Sequence, residues 1–270
     1  MDLRLGGRVA LVTGSTRGIG KAAALRLAEE GCAVAICGRT KETLTSALAE
    51  LKAKGARCFG MQVDLMAPGG VESFIDATAR ELGRLDVVVA NAGGTFGGSF
   101  LQTEAADWVK TLELNVVLAA RTVRAAVPHF ERSDVKSVVI VASVSGSKPG
   151  SRPQYGVAKA GEILLAAALA KELGPQRIRV NTVSPGSIFW EGGSWHQRSQ
   201  AMPSRIADFV VREFPWGRMG SLDEVSDVIA FVASPRAMWV NGANVTVDGA
   251  QGAPSISFSS TTAPAGQGAR

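Results

Sequence analysis

The sequence predicts an α/β protein built on one doubly wound, mostly parallel sheet of seven strands with helices on both faces. Three observations carry that prediction. Short apolar runs alternate with longer amphipathic stretches almost to the C-terminus, the rhythm of a parallel sheet joined by right-handed crossovers. Several of the short runs are apolar throughout instead of alternating, as strands covered on both faces require. Glycine stands where the intervening helices should stop, at Gly31 and Gly55.

Taken in order, the strands fall at 8–12 (RVALV), 33–37 (AVAIC), 57–63 (RCFGMQV), 85–90 (LDVVVA), 137–142 (SVVIVA), 178–183 (IRVNTV) and 244–247 (NVTV). The first two helices fill 21–30 and 41–53. No charge run, Pro/Ser linker or internal repeat divides the body, so residues 1–250 read as one domain. Residues 187–216 break the rhythm with Phe189, Trp190, Trp195, Phe209, Phe214 and Trp216. That stretch reads either as a lid over an apolar ligand or as a small helical pair packed on the core or on a neighbouring subunit. Residues 251–270, rich in small and turn-forming types, read as a disordered tail.

Composition narrows the class. With 46% apolar and 20% charged residues the chain can bury a sizeable core. Its longest fully apolar helical run, 163–170, is bracketed by Glu162 and Lys171, far short of the roughly 20 residues a membrane span needs. The N-terminus runs from charge straight into a strand with no signal-peptide core, which predicts a cytoplasmic protein. Cys32, Cys37 and Cys58 form no Cys-x-x-Cys pair and read as buried reduced thiols. His129 and His196 lack metal-ligand company, so no metal is expected. The net charge of +5 is scattered, which favours an ordinary basic surface over nucleic-acid binding and leaves room for a patch that meets an anionic ligand.

The chemistry concentrates in two places. The first strand runs into TGSTRGIG at 13–20 and then into a helix, with glycines at 14, 18 and 20. Glycine lets backbone approach a ligand, and a helix N-terminus presents N–H groups and positive dipole to phosphate. The only tyrosine in the chain, Tyr155, lies four residues before Lys159 in YGVAKAG, although the chain has ten phenylalanines. In a helix that spacing puts both on one face. A free phenol titrates near pH 10, and an adjacent ammonium favours its ionised form, so the pair suits proton transfer near neutrality.

These motifs, in this order, resemble the short-chain dehydrogenase/reductase family in its single-domain branch. TGSTRGIG matches its cofactor turn, NAG at 91–93 the stretch after its fourth strand, and Asn115 in LELNVV its mid-helix asparagine. VASVSG, then YGVAK, match its serine and Tyr-x-x-x-Lys pair. VNTVSPG at 180–186 and TVDG at 246–249 match later landmarks, so only the tail is left uncovered. The resemblance implies a Rossmann-type sheet and a catalytic set of Ser143, Tyr155, Lys159 and Asn115. Tyr155 would be the acid for carbonyl reduction and the base for the reverse, and Ser143 would hold the substrate oxygen. Asn115 would link the lysine to solvent through a water, or serve as a helix-kinking core residue. It further implies that Gly14, Ser15, Arg17, Gly18, Ile19 and Gly20 cradle the dinucleotide. Arg39 would meet the ribose 2′ position, Asp64 would cap the adenine site, and Asn91, alternatively structural, and Gly93 would also contact the cofactor. Pro185, Gly186, Ile188 and Tyr155 would contact it too, and Lys159 would hold its nicotinamide ribose.

Two departures stand out. Ser143 precedes Tyr155 by twelve residues, where the family more often has thirteen, and Ser145 is the competitor for its role. Trp190 occupies the place of a family threonine that contacts the cofactor, so that side-chain contact does not carry over, whereas a backbone contact from Ile188 would.

The second strand bears on which dinucleotide fits. NAD-selective proteins usually end it with an acid for the ribose 2′-hydroxyl, about 20 residues past the turn. Here Gly38 takes that place and Arg39 follows, with Arg17 in the turn itself. Two guanidiniums suit a 2′-phosphate. The expected function is therefore an NADP(H)-dependent oxidoreductase interconverting a ketone and a secondary alcohol, acting on a small molecule, as a homotetramer or homodimer. The alternative is a non-catalytic dinucleotide sensor or scaffold on the same fold. A serine hydrolase is set aside because no G-x-S-x-G occurs. The motifs resemble those of 3-oxoacyl-thioester reductases, sugar-alcohol dehydrogenases and steroid dehydrogenases alike.

Overall fold

In the computed structural model, which describes residues 1–252, every expected strand is present and every pairing is parallel. The strands are β1 (Val9–Val12), β2 (Ala33–Gly38), β3 (Cys58–Gln62), β4 (Val87–Ala90), β5 (Ser137–Val141), β6 (Arg179–Pro185) and β7 (Asn244–Val247). They form one sheet in the order β3-β2-β1-β4-β5-β6-β7. The order reverses between β1 and β4, and beyond the carboxyl ends of those strands lies the crevice where such sheets take ligands.

The uninterrupted apolar strands bury both faces. Along β1, Ala10 and Val12 face one core and Val9 and Leu11 the other, all 3% exposed or less. The first core is closed by α1 (Gly18–Glu29), α2 (Lys41–Ala53) and α9 (Leu222–Ala233), through Ala23, Leu27, Leu44, Leu51, Val225 and Ile229. The second is closed by α3 (Gly70–Leu82), α5 (Leu118–Ala126) and α6 (Pro153–Leu173), through Phe74, Ile75, Leu118, Val123, Ala166 and Ala170. Gly31 and Gly55, which follow the first two helices, take φ of 84° and 74°, the left-handed conformation that ends a helix without steric cost.

Three features depart from the sequence reading. β6 runs on through Ser184 and Pro185 because both pair with β7, opposite Thr246 and Val247. Between α4 (Ala105–Leu112) and α5 the helix widens into one π-helical turn, Glu113–Val117, with Asn115 inside it. Gln251, assigned to the tail, belongs to the folded body. It is 8% exposed, its amide oxygen accepts from the Ser187 N–H at 2.7 Å, and its amide donates to the Ser187 hydroxyl at 3.0 Å. The remainder of the expected disordered tail, 253–270, lies outside the described residues.

The irregular stretch 187–216 forms the helical pair α7 (Ser194–Ala201) and α8 (Pro203–Glu213), neither of which buries a residue. Trp195 stacks on Phe209 with ring centroids 4.9 Å apart, and Phe209 meets Phe214 edge-on at 5.9 Å. Among the described residues no helix is long and apolar enough to cross a membrane. Burial pushes the thiols of Cys32 and Cys37 up to about 12, which keeps both protonated and unreactive.

Candidate active site

The glycine turn after β1 and the ends of β2, β3 and β4 enclose a cleft of about 400 Å³. Nine residues expected to contact a dinucleotide line it: Gly14, Arg17, Gly18, Ile19, Gly20, Arg39, Asp64, Asn91 and Gly93. Cys37, Val63, Leu65 and Ala92 also line it, as do Thr16, Gly38, Met66, Leu114, Leu118 and Trp190. The glycines stand where side chains would collide. A Cβ on Gly14 would lie 3.0 Å from the Ala92 Cα, and one on Gly20 would overlap Gly14 O and the Asn91 amide. Arg17 precedes α1 without capping it by its side chain, and the first turn of α1 carries no acid. The N–H groups at that helix start therefore face the cleft with their positive dipole unopposed.

Some of the expected cofactor residues do other work. Ser15 is fully buried: its hydroxyl donates to Val12 O at 2.7 Å and accepts from the Cys37 N–H at 3.0 Å, tying the turn to β2. Asn91 donates from its amide to Thr13 O and Gly14 O, both at 3.0 Å, which holds the glycine turn to the end of β4. Thr13, which the sequence reading passed over, accepts from the N–H groups of Asn91 and Ala92 at 2.9 and 3.0 Å. Asp64 is exposed and accepts from the Met66 N–H at 3.0 Å. Arg17 and Arg39 are exposed, and neither forms an ion pair among the described residues.

Pro185, Gly186 and Ile188 follow one another off β6 and lie outside that cleft's wall. A Cβ at Gly186 would come 2.9 Å from Asp248, so close packing against the chain after β7 already demands glycine there. Ser187 O and the Phe189 N–H bond to Gly220, which leaves the Ile188 N–H on the opposite edge with no protein partner among the described residues. Trp190 next turns its indole onto the glycine turn, with Cζ2 3.2 Å from the place a Gly18 Cβ would take.

The chemistry-bearing side chains come from β5, α6 and the π-helical turn. Ser143 follows β5 and caps a short 3-10 turn, Val144–Gly146, its hydroxyl accepting from the Ser145 N–H at 3.1 Å. The hydroxyl proton of Ser143 is left free to donate. This turn packs directly on α6: a Cβ at Gly146 would come 2.7 Å from the Lys159 carbonyl carbon, and one at Gly156 would come 3.0 Å from Ser145 O. Tyr155 is half-buried in the first turns of α6, and the Lys159 Nζ lies 5.7 Å from its ring centre. Asn115 is fully buried; its amide donates to Gly94 O at 2.8 Å and to Thr111 O at 2.6 Å, while its oxygen accepts from the Gly94 N–H at 3.3 Å. Asn115 lies inside the π turn, and such turns are frequent at functional sites. A Cβ on Gly93 would come 2.7 Å from Asn115 Oδ1 and 3.1 Å from Lys159 Nζ, so the loop after β4, the π turn and α6 converge at one point.

A seven-stranded Rossmann-type sheet with a glycine turn after its first strand, and a Tyr–Lys pair on the helix after its fifth, defines a narrow class. A family model described as enoyl-(acyl carrier protein) reductase matches residues 14–250. The chain is 34% identical over 250 residues to isoepoxydon dehydrogenase patN of Aspergillus clavatus, spanning 91% of this chain and 95% of that protein. It is 31% identical over 243 residues to the 3-oxoacyl-(acyl-carrier-protein) reductase FabG of Staphylococcus aureus, spanning 89% and 96%. Among solved structures, L-sorbose reductase from Gluconobacter frateurii complexed with NADPH and L-sorbose superimposes with a TM-score of 0.87 at 29% identity, over 93% of this chain and 98% of that one. The chain belongs to the short-chain dehydrogenase/reductase family.

Proposed function

We propose that the protein is an NADP(H)-dependent oxidoreductase that interconverts a ketone and a secondary alcohol, with Tyr155 exchanging the proton. The observation that carries this reading is the convergence of Ser143, Tyr155 and Lys159 on α6 and its packed turn, beside a glycine-walled cleft bordered by two unpaired arginines. The cleft suits a dinucleotide on its own terms. Its glycine wall leaves room where a Cβ would intrude, and the start of α1 offers N–H groups to a pyrophosphate. Arg17 and Arg39 would hold a 2′-phosphate, and the Ile188 N–H, which has no partner among the described residues, would be available to the cofactor. The solved relative bound to NADPH supports the same choice.

When bound, the nicotinamide supplies or accepts the hydride. The protein's part is positioning and proton handling. The Ser143 hydroxyl, its oxygen already engaged by the Ser145 N–H, would donate a hydrogen bond to the substrate oxygen and keep its proton. Tyr155 gives a proton to that oxygen in reduction and takes it back in oxidation. The Lys159 ammonium stands 5.7 Å from the ring centre, one turn further along α6. Asn115 ties Gly94 of the loop after β4 to the π turn, which holds that wall of the site in place. Residues 187–216 form the substrate lid, whose aromatic lining favours an apolar or bulky carbonyl. Relatives named as a dehydrogenase and as reductases support the reaction class. The test is a panel of ketones and alcohols assayed with NADPH, NADH and their oxidised forms. Turnover that is present with NADP(H) and absent in Tyr155→Phe is expected, and a folded wild type inert on the whole panel overturns the reading.

A further inference from the structure

Lys159 does not stand alone at the site. Its Nζ lies 2.9 Å from Oε2 and 3.2 Å from Oε1 of Glu162, and donates to Val141 O, at the end of β5, at 2.9 Å. The two side chains are 4% and 2% exposed. Position 162 follows Lys159 by three residues, so both project from one face of α6. The next buried positions along α6, Ala166 and Ala170, are small and apolar. Among the described residues Glu162 hydrogen-bonds through its side chain to Lys159 and to nothing else. A carboxylate withdrawn this far from water carries a large desolvation cost, which only its charged partner offsets.

We propose that Glu162 is a positioning residue for Lys159, holding its ammonium charged inside an apolar wall and drawn back onto Val141. The functional consequence rests on the reading of Lys159 given above; the electrostatic claim does not. Burial acts most strongly on Lys159 and against its charge, yet the carboxylate of Glu162, then Tyr155, outweigh it and hold the lysine above its ordinary value. Burial in turn pushes Glu162 up, with the ammonium pulling it back. Among the described residues Tyr155 is the one other ionisable group that bears on the pair. The π turn and the loop after β4 present only the Asn115 amide and Gly93, β5 presents the Val141 carbonyl, and Arg179 of β6 is turned away onto the end of α9. Without Glu162 the lysine would be a buried, unpaired cation that sheds its proton within the working pH range.

The experiment is thermal melting of the ligand-free protein between pH 7 and pH 10, comparing wild type, Glu162→Gln, and Glu162→Gln combined with Lys159→Met. Glu162→Gln keeps shape and removes charge. In that variant the folded state holds its proton at Lys159 less tightly than the unfolded chain does, so relative stability rises with pH. Its deficit against wild type should shrink by about half or more across the range, and adding Lys159→Met should abolish that dependence. A deficit that is constant with pH, or none at all, overturns the proposal. Should Glu162→Gln fail to fold, the apolar pair Lys159→Met with Glu162→Leu decides. Folding of that pair shows that the uncompensated ammonium was the fault, whereas its failure makes Glu162 a packing element and overturns the proposal. Melting needs no turnover, so an enzyme inert on every carbonyl would sink the proposed function and leave this result readable.

Discussion

The indole of Trp190 packs against Gly18, the first residue of α1, with Cζ2 3.2 Å from the position a Cβ there would occupy. Gly193 closes the other side, where a Cβ would lie 2.7 Å from Nε1. The glycine turn, the cleft wall and the start of the 187–216 stretch thus share one contact. Gly18→Ala would both crowd the ring and force a side chain onto a backbone at φ 55°. That conformation costs a residue with a Cβ about 1–2 kcal/mol of folding stability. The variant should therefore melt lower than wild type, and because the turn must shift to relieve the crowding it should also bind NADPH more weakly, as read by titration of intrinsic fluorescence. Trp190→Phe should remove the part of that signal which comes from the cleft. Affinity within twofold of wild type in Gly18→Ala would show that the contact does not shape the binding site.

Tyr155→Phe keeps the ring that the Lys159 ammonium faces at 5.7 Å and deletes only the hydroxyl. On the proposed mechanism turnover should fall by at least two orders of magnitude, the range general acid–base catalysis supplies. Nucleotide affinity should stay within a few-fold, since the cleft walls are untouched. A variant retaining a tenth or more of the wild-type rate would remove Tyr155 from the proton-transfer role.

β1 and β4 were legible because burial on both faces selects apolar residues, and VALV and VVVA hold no others. The extension of β6 through Ser184 and Pro185 was not, since its partner Thr246–Val247 lies some sixty residues away and the residues themselves are not apolar. Tyr155, Lys159 and the glycine turn were found by their spacing, which a helix or a tight turn makes local. Ser15 and Asn91 sit in the same motifs, yet their side chains turn inward to hold the turn, a choice made by Val12, Cys37 and Thr13 across the sheet. Glu162 escaped notice for a related reason. At the edge of the apolar run 163–170 it reads as a boundary charge, and only folding shows it buried against Lys159.

The start of α9 carries a pH-dependent element. Ser221 and Glu224 form a capping box, with the Ser221 N–H donating to the carboxylate at 2.8 Å, and Arg218 clamps the same carboxylate at 2.7 and 2.9 Å. Hydrogen bonding from Arg218, then from the Ser221 backbone, lowers Glu224 to about 2 from an ordinary value of 4.5. A carboxyl depressed in the folded state contributes stability that is present above about pH 4.5 and is lost as pH falls toward 2. Glu224→Gln should therefore melt lower than wild type at pH 7, and the gap should close as both are titrated from pH 5 to below pH 3. Ser221→Ala removes the other half of the cap, at a cost of about 1 kcal/mol. A gap that stays constant through the acid range would mean that Glu224 acts through packing alone.

The choice of dinucleotide has a steric reason besides the electrostatic one. A Cβ at Gly38 would lie 2.5 Å from the Thr16 Cγ2, and threonine is too short and stiff to yield easily. The acid that would hold a ribose 2′-hydroxyl thus has no room at the end of β2, while Arg39 and Arg17 stand exposed at the rim of the same cleft with no ion-pair partner among the described residues. Each charge-assisted bond to a 2′-phosphate is worth about 1.5–3 kcal/mol before solvent screening. Arg39→Leu should therefore weaken NADPH binding by about tenfold or more and change NADH binding less than threefold. Gly38→Asp on its own should damage binding of both cofactors, because the clash with Thr16 distorts the turn. Combined with Thr16→Ala and Arg39→Leu, the aspartate gains room, and NADH should then become the better substrate by kcat/KM. A wild type that already prefers NADH, or an Arg39→Leu variant that weakens both cofactors equally, would show that these arginines do not read the 2′ position.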